Sequence, residues 1–78
     1  MPRVPAVSGS EAVAAFAKAG FCLARVKGSH HILKIDSHPN RLSIPVHAGK
    51  TVGRGLLKDQ IEKAGLTVEQ FNELLRAC

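Results

Sequence analysis

Apolar residues recur at two different periods along this 78-residue chain, and the changes of period mark its elements. Ala12, Val13, Phe16 and Ala17 follow one another at helical spacing. Ser8 and Glu11 stand ahead of them as S-x-x-E, the arrangement in which each side chain satisfies the other's backbone N–H at a helix start. Gly20 suits the position just past a helix end. The spacing therefore predicts a helix over residues 9–19. Residues 21–26, 31–36 and 41–46 then read as strands. Gly28-Ser29 joins the first two as a hairpin turn with glycine first. Ser37-His38-Pro39-Asn40 makes the next turn, and Pro45 argues that the third strand lies at an edge. After a loop from His47 to about Arg54, Leu57, Ile61 and Ala64 restore the helical period until Gly65. Thr67-Val68-Glu69-Gln70 is a second capping box, opening a short helix through Phe71, Leu74 and Leu75.

The predicted order is α-β-β-β-α with a short terminal helix. Connections this short make the sheet an antiparallel meander. Three strands and amphipathic helices give a two-layer α+β sandwich in which helices cover one sheet face only. The length suits one domain over residues 1–78, with 1–7 as a flexible lead. No segment approaches the roughly 20 apolar residues of a membrane span, and the N-terminal stretch lacks the apolar core of a signal peptide. The two cysteines, Cys22 and Cys78, do not make a disulfide framework and suit a reducing cytoplasm.

Alternation assigns the strand faces. In the second strand Leu33 and Ile35 point inward with His31, while His30 and Lys34 point to the open face. In the third, Leu42, Ile44 and Val46 point inward, and Arg41, Ser43, Pro45 and His47 outward. In the first, Arg25 and Lys27 point outward against Cys22, Ala24 and Val26, although Phe21 and Leu23 share the parity of Arg25. Charge adds meaning to this face. The net charge is +5 and the pI about 9.8, a balance drawn to polyanions. Lys and Arg hold phosphate by charge, and histidine moves protons near neutral pH. Against this stands the plainer reading, in which His30 bonds its own turn and His31 is a satisfied, partly buried imidazole. Adjacent His30 and His31 point to opposite faces and do not share an ion, so no metal site is expected. Gly49-Lys50-Thr51 lacks the spacing of a phosphate-binding loop, since residue 44 is Ile. A Ser-His-Asp set from Ser29 and Asp36 has no nucleophile elbow to support it.

The run R-V-K-G-S-H-H-I-L-K at residues 25–34, H-P-N at 38–40, L-S-I-P-V-H-A-G-K at 42–50 and G-L-L-K-D-Q-I-E-K-A-G-L-T-V-E-Q-F at 55–71 resembles the HicA family of toxins, from about Ser8 to Leu75. The resemblance implies a double-stranded-RNA-binding-domain-like fold. It implies a type II toxin–antitoxin component that cleaves mRNA without the ribosome, needs no cofactor, and is blocked by a HicB-like antitoxin. It places the catalytic histidine at His30, with His31 as runner-up and His47 as a possible helper. Arg25, Lys27, Ser29, Lys34, Arg41 and Lys50 are the candidate RNA contacts. DNA contact is expected only through the antitoxin. A non-catalytic RNA-binding module of the same fold, or a protein-interaction subunit, is the alternative.

Overall fold

The computed structural model describes residues 3–37, 39 and 41–76. Helix α1 (Gly9–Lys18) is followed by strands β1 (Cys22–Lys27), β2 (His30–Lys34) and β3 (Leu42–Pro45), then by helices α2 (Arg54–Lys63) and α3 (Val68–Arg76). His38, Asn40 and Cys78, singled out in the sequence, lie outside the described residues.

Local chemistry sets the helix ends. Ser8 Oγ accepts from the Glu11 N–H at 3.2 Å, and Glu11 Oε1 accepts from the Ser8 N–H at 3.0 Å. The Ser8 N–H, with the Ser8 hydroxyl beside it, holds the Glu11 carboxyl below its ordinary pKa, because hydrogen bonds to the carboxylate favour the charged form. Thr67 and Gln70 make the same reciprocal pair at 3.1 and 2.9 Å ahead of α3. The sequence repeats K-A-G followed by a large apolar residue at the ends of α1 and α2, and both ends close in the same way. The Phe21 N–H donates to Phe16 O and the Gly20 N–H to Ala17 O; Leu66 and Gly65 repeat this onto Ile61 and Glu62. These are Schellman motifs, each with its apolar residue folded back on the helix.

The sheet order is β1-β2-β3, and both pairs are antiparallel. Leu33 opposite Leu42 and His31 opposite Ile44 face the helices, while His30 opposite Pro45 and Ile32 opposite Ser43 share the other face. β1 departs from simple alternation. Cys22 pairs with Lys34 and Leu23 with Leu33, but the next pair is Arg25 with Ile32, so Ala24 is an extra residue. Such a bulge flips the parity of everything on one side of it. Leu23 and Val26 therefore both lie on the helix side, and Cys22 joins Arg25 and Lys27 on the open side. This corrects the inward placement of Cys22 and the outward parity of Leu23 read from the sequence. Cys22 is exposed.

Phe16, Phe71, Leu33, Leu42, Ile44, Leu57 and Ile61 form the buried centre. The Phe16 ring meets Phe71 at 5.0 Å and Phe21 edge-on at 6.0 Å. Both α1 and α2 rest on β3, and α3 closes against α1. β1 projects beyond this cover, so all six of its residues are exposed. The segment expected as a flexible lead is placed against the fold over residues 3–7. Val7 is buried and its carbonyl accepts from the Val52 N–H at 2.8 Å, Val4 packs on the core, and Asn72 Nδ2 donates to Arg3 O. Helices packed on one face of a three-stranded antiparallel meander, in this order, make a double-stranded-RNA-binding-domain-like fold. No described helix is long and apolar enough to cross a membrane.

Candidate functional site

His30 opens β2 directly after the Gly28-Ser29 turn. Gly28 has φ +61° and no described non-glycine residue has positive φ, so the turn is of the glycine-first kind that matches strand twist. Ser29, half-buried, accepts from the Val46 N–H at 2.8 Å through its carbonyl, which ties the turn to the end of β3. His30 is thereby held between Lys27 on β1 and Pro45 on β3, on the uncovered face, and is exposed.

Its Nδ1 lies 3.4 Å from Ser43 Oγ, the diagonal neighbour on β3. Ser43 is itself fixed from behind. Its N–H, on the outer edge of the sheet, donates at 3.0 Å to Oε1 of Gln60 on α2, and Gln60 is the one buried polar residue of the described chain. A helix side chain, a strand backbone and a strand hydroxyl thus run in sequence to one ring nitrogen of His30. Neither Ser43 nor Gln60 was a candidate in the sequence. Ser43 had a usable signal, since it sits on the open face beside the Pro45 that opposes His30. Gln60 had none, because nothing in a helical pattern says that an amide will reach around a strand edge.

The other sequence candidates divide by place. Arg25 and Lys27 are exposed on the open side of β1, beside His30. Lys34 is exposed on the same face at the far end of β2, about 13 Å along the strand at 3.3 Å per residue. Arg41, exposed, precedes β3 at that same end. His47 is exposed two residues beyond Pro45, and its carbonyl accepts from the Lys50 N–H at 3.1 Å in a turn that also exposes Lys50. His31 lies on the opposite face from His30. It is half-buried, opposes Ile44, and its buried Nδ1 has no hydrogen-bond partner among the described residues. Among those residues no three of His, Cys, Asp and Glu gather as metal ligands.

A cationic sheet face with an oriented, solvent-open imidazole is an arrangement able to hold a phosphate chain and move a proton beside it. The family model described as HicA toxin of bacterial toxin–antitoxin matches residues 9–66, well over half of the chain. The chain belongs to the HicA toxin family. No curated protein matches it in sequence. The span matched by the family runs from α1 through the end of α2, so it includes His30, Ser43, His47 and Gln60 of this HicA chain.

Proposed function

We propose that this HicA chain is a ribosome-independent mRNA interferase, an endoribonuclease that acts in the cytoplasm and is held inactive by a HicB-like antitoxin. The observation that carries the reading is His30, exposed among cations on the uncovered sheet face, with one ring nitrogen engaged by Ser43. In the neutral tautomer whose Nδ1–H donates to Ser43 Oγ, Nε2 keeps its lone pair toward solvent.

RNA brings its own nucleophile. His30 Nε2 takes the proton of a 2′-OH, the 2′-oxygen attacks the adjacent phosphorus, and the bond to the 5′-oxygen breaks. The leaving oxygen takes a proton from an imidazolium, for which His47, exposed two residues beyond the Pro45 that opposes His30, is nominated. Lys27 and Arg25 stabilise the charge that builds on the phosphoryl oxygens. The products are a 2′,3′-cyclic phosphate and a 5′-hydroxyl. The route uses no metal or organic cofactor. With no Trp or Tyr in the chain, base stacking contributes little, and contact rests on the RNA backbone.

The test is cleavage of a labelled single-stranded RNA in EDTA by the native chain and by His30→Ala, with matched circular dichroism. Removing a general base lowers the rate by about 10²–10⁴-fold. Full cleavage by His30→Ala would move the chemistry to His31 or His47. Cutting of DNA, or 3′-hydroxyl ends, would refute attack by the 2′-OH.

A further inference from the structure

The two edges of the sheet are treated differently. β3 is four residues long, contains Pro45, and has its Ser43 N–H occupied by Gln60. Short length, proline and side-chain cover are among the devices by which proteins stop an edge from pairing with another chain. β1 relies on others of the same kind, the bulge at Ala24 and the cations Arg25 and Lys27, which repel a like-charged strand but not an acidic one. It runs six residues without proline, and every residue is exposed. Its helix-side face carries Leu23 and Val26, which are 52% and 51% exposed although β-branched or large and apolar. Its open face carries Arg25 and Lys27.

We propose that the outer edge of β1 is the docking strand for the antitoxin, which adds a β-strand of its own to the sheet. This rests on the toxin–antitoxin reading above. The incoming strand carries acidic side chains on the face it shares with Arg25 and Lys27, and apolar side chains against Leu23 and Val26. Charge selects this occupant. A second copy of the chain would bring its own Arg25 and Lys27 to the same face, and β1 contains no Asp or Glu to offset them. RNA offers no ladder of N–H and C=O groups, and it does not cover Leu23 and Val26 on the side away from His30. An acidic protein strand meets all three features at once.

Such docking also explains inhibition without contact to His30. Strands lie about 4.8 Å apart, so the added strand sits next to Lys27, the cross-strand neighbour of His30, and about 10 Å from β2. Its carboxylates neutralise the cations that hold the RNA backbone and repel phosphate from the site.

The decisive variant is Leu23→Asp with Val26→Asp. Both side chains are exposed and point away from His30, so the fold and RNA cleavage are retained. Binding of the purified cognate antitoxin, followed by calorimetry, falls by about a hundredfold or more, because the two carboxylates are buried without partners against the apolar side chains of the incoming strand. In the native complex, amide exchange at residues 22–27 slows relative to the free chain. Unchanged affinity of the double variant, with residues 22–27 exchanging as in the free chain, overturns the docking site while leaving the toxin–antitoxin reading intact. Dimerisation of the native chain alone, lost in the variant, assigns the edge to a second copy and also overturns it. Failure of the native chain to bind the antitoxin at all defeats the underlying reading, and this inference with it.

Discussion

In the proposed mechanism, Ser43 decides which nitrogen of His30 faces the 2′-OH. At 3.4 Å the contact is a long hydrogen bond, and a neutral bond of this kind contributes about 0.5–1.5 kcal/mol. Ser43→Ala therefore lowers the cleavage rate about three- to tenfold, much less than loss of His30 itself. Ser43→Thr keeps a hydroxyl on Cβ and restores most of the rate, whereas a role confined to packing would leave the threonine variant no faster than the alanine one. His31 makes the contrast plain. It has the same side chain one position later, but strand alternation turns it toward Ile44 and leaves its Nδ1 buried without a partner. Adjacent identical residues thus fall in different environments because successive residues of a strand face opposite sides.

Among the elements, α1 positions the end of β3 by contact of backbones. Gly9, the first residue of α1, is buried against Pro45 and Val46. A Cβ there would meet Val46 Cα at 2.7 Å and the Pro45 carbonyl oxygen closer still. Backbone cannot step aside as a side chain can, so Gly9→Ala costs about 1–3 kcal/mol, as other overpacking substitutions do. Gly53→Ala, which meets nothing within 4 Å, is the control, and urea midpoints at constant m-value give the comparison. An equal midpoint for both variants would show that α1 is free to shift. The sequence announces the helix ends well, because capping boxes and K-A-G ends are local chemistry and repeat twice. It also announces His30, Lys34, Arg41 and Ser43 as one face, because alternation in β2 and β3 is unbroken. The bulge at Ala24 was not legible. Alternation alone could only register that Leu23 and Arg25 conflicted, since the choice of which residue to leave unpaired is made by β2. Gln60 and Val7 were equally hidden, as both answer to tertiary neighbours far along the chain.

Over the whole molecule, shape and charge are separated by the sheet. The helices take the apolar side, and the uncovered side presents Arg25, Lys27 and Lys34, with Arg41 exposed just before β3, in a chain of net charge +5. If these four cations each neutralise one phosphate of a single strand, the slope of log K against log salt is about −2.8, and affinity falls about fiftyfold between 50 and 200 mM salt. The measurement uses His30→Ala, so that the RNA survives the titration. Lys34→Ala in that background reduces the slope by about 0.7, because one fewer counterion is released. Lys34 lies about 13 Å along β2 from His30, so this change reports whether the strand of RNA tracks the length of the sheet or touches only the end that bears the histidine. A slope unaltered by Lys34→Ala confines the RNA to the neighbourhood of Lys27 and Arg25. A slope near zero in the parent variant would mean that the uncovered face does not hold phosphate at all, and the ribonuclease reading would lose its substrate.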